Sequence, residues 1–251
     1  MPVRILKIED QNNIKINNGE IEENKPVGVS SNKKSIMPFS TIFYISNQWT
    51  DVGSRIAEHT HKGFEVITIM LKGGAEHTYP HLPKPISLSS GDVEYIYTGN
   101  GIKHAEYHKR NSQSFQIWLD PNLRKSLAKK PKIQHFDTSV FPTRNIPGIT
   151  RNYIVGEDSP LELETENVEI IDYKYSPGLQ ELKVSNDVFL SLYLVKGEIE
   201  IDGKSYSEDT FIVIRDEMPF SFYVNAHSRI IAIRTIASPD YQTYLQLKSN
   251  N

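Results

Sequence analysis

Two short segments carry metal-ligating side chains at the spacing that one strand face demands. In Glu58-His59-Thr60-His61-Lys62-Gly63-Phe64-Glu65 the histidines are two residues apart, so on an extended chain both imidazoles project to the same side. Asn100-Gly101-Ile102-Lys103-His104-Ala105-Glu106 repeats the device after a glycine-rich turn, with an imidazole and a carboxylate two apart. A lone His-x-His is more often a pair of surface histidines. Two such pairs, each beside a turn and separated by a hairpin's worth of strand, instead supply four donors to one ion. Three imidazoles and a carboxylate suit Fe(II), Mn(II), Ni(II), Cu(II) or Zn(II), and affinity alone is a poor guide to the native metal. Seven of the eight histidines, at 59, 61, 77, 81, 104, 108 and 135, lie in the first half, and only His227 lies in the second.

The elements that must hold these donors read as strands. Ser40-Thr41-Ile42-Phe43-Tyr44-Ile45 and Glu65-Val66-Ile67-Thr68-Ile69-Met70-Leu71 are short, apolar and rich in β-branched and aromatic residues. Gly73-Gly74, Ser90-Gly91-Asp92 and Gly99-Asn100-Gly101 punctuate them at spacings typical of an antiparallel sandwich or barrel. The second half repeats this grammar from Val188 to Val195 and through Glu198-Ile199-Glu200-Ile201-Asp202-Gly203, where Asp-Gly signals a hairpin. A shift of 124 positions lays Lys196-Gly197 on Lys72-Gly73, which suggests a duplicated β-domain. Residues 11 to 35 lack a sustained apolar period and read as an exposed lead-in. Pro121 to Pro131 predicts a short helix or basic linker, and Ser238-Pro239-Asp240 predicts the start of a terminal helix with Tyr241, Tyr244 and Leu245 on one face.

Composition narrows the possible functions. With 31 acidic and 28 basic residues, the net charge of −3 offers no global positive field for nucleic acid. No cysteine is present, which excludes disulfides, thiolate metal sites and cysteine nucleophiles. Charges interrupt the start of the chain where a signal peptide would have its apolar core, and no apolar run is long enough to span a membrane, so a cytoplasmic location is expected.

The donor-bearing segments resemble the pirin family of the cupin superfamily. His59-Thr60-His61-Lys62-Gly63-Phe64-Glu65 is similar to that family's His-Pro-His-Arg-Gly-Phe-Glu, with Thr60 for Pro and Lys62 for Arg. The stretch from Gly91 to Glu106, ending Gly101-Ile102-Lys103-His104-Ala105-Glu106, resembles its second motif, and Phe115-Gln116-Ile117-Trp118-Leu119 the strand that follows. The resemblance covers residues 37 to 120 strongly and the rest more weakly. It implies an all-β bicupin: two antiparallel β-barrels of the double-stranded β-helix (jelly-roll) type, with a few short helices. The implied domains are a lead-in at 1–36, a metal-binding cupin at 37–135 and a metal-free cupin-like domain at 136–251. His59, His61, His104 and Glu106 would be the ligands of one divalent ion, Fe(II) first, with Ni, Mn, Cu, Co or Zn as substitutes. The shifts that align the halves place Lys183, Ser185, Ser221 and Tyr223 opposite those four, which is no ligand set.

Some bacterial pirins are similar in activity to quercetin 2,3-dioxygenase. The resemblance therefore implies O2-dependent cleavage of a flavonol-like enol, with Glu106 both ligand and proton acceptor and no nucleic-acid or membrane partner. The alternative is a metal-binding, redox-sensitive regulatory or interaction protein without turnover. Glu65 is expected either to orient a ligand imidazole from behind or to sit in solvent at a strand end. His77 reads as a hydrogen-bonded polar residue near the pocket, and His81, His108 and His135 as surface residues.

Overall fold

The computed structural model describes residues 3–29, 34–216 and 218–249. In chain order the strands begin with β1 (Val3–Leu6), β2 (Asn12–Ile16), β3 (Ile21–Val27), β4 (Ile42–Thr50), β5 (Ser54–His61) and β6 (Glu65–Lys72). They continue with β7 (Gly74–Thr78), β8 (Ile86–Ser89), β9 (Val93–Tyr97), β10 (Ile102–His108), β11 (Ser112–Leu119), the helix α1 (Leu123–Leu127) and β12 (Lys132–Phe136). Next come β13 (Thr143–Ile146), β14 (Ile149–Val155), β15 (Glu169–Tyr175), β16 (Gly178–Val184) and β17 (Val188–Lys196). The last are β18 (Glu198–Ile201), β19 (Lys204–Ser207), β20 (Phe211–Arg215), β21 (Met218–Val224), β22 (Ser228–Ile236) and the helix α2 (Tyr244–Ser249).

The chain divides into two compact units, one of Asn12–Thr138 with Tyr241–Asn251 and the other of Met1–Gln11 with Ser139–Asp240. In the first, a seven-stranded sheet runs β12-β9-β6-β11-β4-β3-β2 and a four-stranded sheet β5-β10-β7-β8. The second repeats the plan, with β1-β20-β17-β22-β15-β14-β13 and β16-β21-β18-β19. All the pairings between these strands are antiparallel, as expected for the all-β class, and an isolated parallel bridge joins Val27 to Ile36. The strand β5 alternates between exposed and covered residues because one face of its sheet meets solvent, whereas β6 and β9 are covered on both faces and are mostly apolar, with Glu65, Thr68 and Glu94 as buried polar exceptions. The second unit closes on an apolar core that includes Leu190, Leu192, Ile199, Phe220 and Phe222. Burying each of these contributes about 1.5–3 kcal/mol.

Two turns follow directly from their residues. Asp202 and Gly203 both have positive φ (50° and 72°) between β18 and β19, the type I′ geometry that Asp-Gly favours. Gly63 and Gly99 also have positive φ, and the Gly63 N–H donates to the Gly99 carbonyl at 3.0 Å. A β-carbon at Gly63 would lie 2.5 Å from Leu123, and one at Gly99 2.5 Å from the Lys129 carbonyl oxygen. This glycine-to-glycine contact ties the turn after His61 to the turn that leads to His104.

Two expectations are corrected. The stretch read as an exposed lead-in contains three strands, β1, β2 and β3, joined by short 3-10 turns at Ile8–Asp10 and Asn17–Gly19, residues 1, 2 and 30–33 lying outside the described set. Strand β1 pairs with β20, β2 with β3 and β3 with β4. The polar side chains of β3 hid this pattern, because Glu23 and Asn24 are buried there instead of solvated. The Tyr44 hydroxyl donates to Glu23 at 2.6 Å and the Gln48 amide at 3.1 Å. The terminal helix starts at Tyr244 and not near Ser238, since Thr243 and Gln246 form a capping pair in which the Thr243 N–H donates to Gln246 Oε1 at 2.8 Å. The helix expected after Pro121 is α1, with the Asn122 side chain accepting from the Lys125 N–H.

Candidate metal centre

Strand β10 lies between β5 and β7, and register brings the two sequence pairs together. His104 lies directly across from His59, Ile102 from His61, and Glu106 from His77 on β7, with a bulge between His104 and Glu106. One nitrogen from each of His59, His61 and His104 lies within 4.8 Å of the other two. Glu106 Oε1 borders this triad, 3.6 Å from His104 Nε2 and 3.8 Å from His59 Nε2. Atoms bound about 2.0–2.2 Å from a common ion lie roughly 3–3.6 Å apart. The Glu106 contacts match that separation to within a few tenths of an ångström, and the three imidazoles, up to 4.8 Å apart, need to close by about an ångström around a cation.

The protonation states favour ligation. Burial, reinforced by neighbouring imidazoles, pushes His61 down to about 3 and His104 down to about 4, so both are neutral at pH 7. The His59 Nδ1 donates to the Ala57 carbonyl at 2.8 Å, which leaves Nε2 as the lone-pair nitrogen. His104 is the strongest observation, because both its ring nitrogens are buried without a hydrogen-bond partner. A buried imidazole in that state is costly unless something else satisfies it. Donor type, spacing and the orphaned nitrogen all fit a divalent ion.

Behind Glu106 lies a buried polar relay. His108 Nε2 donates to Glu106 Oε2 at 3.1 Å, and His77 Nε2 lies 3.7 Å from the same oxygen. His77 Nδ1 bonds to Glu94 on β9, and Glu94 also accepts from the Tyr79 hydroxyl at 2.9 Å. Burial alone would push His77 down, but the Glu94 and Glu106 carboxylates outweigh it and raise the imidazole to about 9. For Glu106, burial opposes ionisation, but the charge of His77 and the hydrogen bond from His108 prevail, holding its carboxyl well below the usual carboxylate range. Tyr79 stacks on His104 with centroids 5.5 Å apart, and Trp118 meets the edge of His61 at 4.7 Å. Phe43, Phe64 and Tyr244 continue this aromatic wall.

Other expected roles change. His108, read as a surface residue, is buried against Glu106; it continues the period of two from His104 through Glu106, a signal already present in the sequence. His77 is buried and hydrogen-bonded as expected, while His81 and His135 are exposed, with His135 Nε2 3.3 Å from Asp92. Glu65 is fully buried and accepts from the Tyr95 hydroxyl, so the solvent reading fails. Strand alternation sets it on the opposite face of its sheet from Val66, which packs with Tyr79 and Ile102. The carboxylate behind an imidazole is Glu94, whose position across the barrel depends on register and not on local spacing. In the second unit, Lys183, Ser185, Ser221 and Tyr223 are exposed, away from the apolar core.

The family model described as Pirin matches residues 20–119. Pirin-1 of Arabidopsis thaliana is 27% identical over 153 residues, covering 58% of this chain and 52% of that protein, so the chain aligns with about half of that relative's length. A quercetin 2,3-dioxygenase of Escherichia coli (strain K12) is 21% identical over 207 residues, covering 78% of this chain and 83% of the relative. The crystal structure of the bacterial pirin YhhW from Escherichia coli in complex with nickel(II) superposes with a TM-score of 0.75 at 18% identity, covering 93% of this chain and 99% of that one. Motifs, paired-sheet architecture and the histidine triad agree with this: over residues 20–119 the chain matches the pirin family, and its fold is that of solved pirin structures.

Proposed function

We propose that this chain is a metal-dependent dioxygenase of the cytoplasm that cleaves a flavonol-like enol with O2, using His59, His61, His104 and Glu106 as ligands. The observation that carries the reading is the orphaned His104 nitrogen beside an ionised, buried Glu106. A divalent ion, Fe(II) first and Ni(II) next, would supply positive charge that lowers the pKa of an enol hydroxyl and draws the reactants together. The protein's own groups do the rest. Trp118, Phe43 and Phe64 offer flat apolar surface to a planar ring system. Glu106 Oε1 accepts the hydroxyl proton while His108 keeps Oε2 in place. The dioxygenase relative and the nickel-bound pirin support the substrate class and the choice of metals.

The test is oxygen uptake with quercetin by metal-loaded wild type and Glu106→Gln at matched metal content. Gln still offers an oxygen but is a far weaker proton acceptor, so turnover should fall about a hundredfold or more while metal is partly retained. Equal uptake by both proteins would overturn the role of Glu106. Stoichiometric metal with no uptake on any flavonol would favour the regulatory reading.

A further inference from the structure

A second ligand site lies in the other unit. A cavity of about 510 Å³ opens where the ends of β14, β15, β17 and β22 meet the turn before β14 and the loop before β22. Its size falls within the range of small-molecule pockets. Its floor is one row of the seven-stranded sheet: Thr150 pairs with Lys174, Lys174 with Arg229, and Arg229 with Lys196. Directly opposed residues share a sheet face, so three cations stand side by side.

Such a row is unfavourable in itself, because like charges directly across a ladder repel. Asp172 offsets one of them, binding Arg229 through Nε–Oδ1 at 3.0 Å and Nη2–Oδ2 at 2.9 Å. This clamp also fixes the guanidinium in place. Lys174 and Lys196 flank it, and His227, the one histidine of the second half, lines the same cavity. Among the described residues none of those lining the cavity is acidic. Ile146, which is exposed, and Ile149, which packs against the apolar core that includes Tyr175, also line the cavity.

We infer that this cavity binds an organic anion, with a phosphate or carboxylate head over the Lys174–Arg229–Lys196 row and an apolar body against Ile146 and Ile149. A cationic floor attracts the head and the two isoleucines remove the body from water. Neither the metal-ligand set nor the proposed oxygen chemistry uses these residues, so the site stands or falls on its own.

Calorimetric titration of the full-length, metal-loaded protein with inorganic phosphate and with phenyl phosphate tests it. Phenyl phosphate should bind at one per chain, more tightly than inorganic phosphate and more weakly as salt rises. The exposed pair Lys174→Ala/Lys196→Ala should weaken it at least about tenfold with unchanged metal content, whereas the charge-matched control Lys72→Ala/Lys204→Ala, at exposed lysines outside the cavity, should not. Sodium benzoate in place of phenyl phosphate separates a carboxylate from a phosphate preference, and tighter binding of either than of inorganic phosphate supports the site. The inference is overturned if neither phenyl phosphate nor benzoate binds below about 10 mM, or if the double variant and the control behave alike.

Discussion

At the scale of single residues, the centre depends on side chains that no donor count would include. Glu94 holds two buried partners, His77 and Tyr79, and is itself fully buried. Replacing it with Ala strands an imidazolium and a phenol, which should cost about 3–5 kcal/mol. Glu94→Gln keeps an acceptor and should cost clearly less, and chemical denaturation of the two variants measures the difference. The spacing of the four proposed ligands was legible because strands repeat every two residues; the structure gathers the three histidines, with Glu106 Oε1 3.6 Å from His104. His108 was equally legible by that rule, three positions along one face. Glu94 was not, since which strand lies opposite β7 is decided by sheet closure. Glu65 was misread for the complementary reason: neighbours in sequence point to opposite faces.

At the scale of elements, the terminal helix is coupled to a titrating group. The Tyr244 N–H donates to Asp120 Oδ2 at 2.6 Å and the Tyr241 hydroxyl to the Asp120 carbonyl at 2.7 Å. Burial outweighs the Tyr244 hydrogen bond and raises the Asp120 carboxyl to about 6. The folded chain thus keeps a proton that an unfolded Asp releases from about pH 4 upward. Stability falls as pH rises between about 4 and 6, by about 2–3 kcal/mol in all, and stays lower above that window. Asp120→Asn should flatten this dependence and leave the protein at least as stable as wild type at pH 7.5, as thermal melts across pH will show. The helix itself was foreseen but its start was not. Ser238-Pro239 is a strong local signal, yet the capping pair Thr243 and Gln246 prevails.

At the scale of the whole molecule, one plan is built twice and used differently. Both units pair seven strands with four, but the first buries histidines and carboxylates where the second buries Leu, Ile and Phe. The repeat was visible as a shift of 124 positions. The assignment of the earliest residues was not, because pairing between β1 and β20 is a long-range choice that short windows cannot carry. Deleting residues 1–11 removes β1 and the Gln11 side chain, which bonds to the Leu6 and Asp209 carbonyls. That deletion should lower the melting temperature through the second unit while metal bound per chain stays the same. Calorimetry with metal analysis checks both halves of the expectation.

The pairing of Val3 with Ile214 also sets a clock during protein synthesis. At about 5–20 residues per second, β1 leaves the ribosome roughly 10–40 s before its partner exists. Over that interval the nascent chain carries an unpaired strand past a complete set of first-unit strands. A wrong annealing onto an open sheet edge is then the natural competitor of the native one. The two charged residues that flank and interrupt this strand, Arg4 and Lys7, work against that error by keeping the waiting segment soluble.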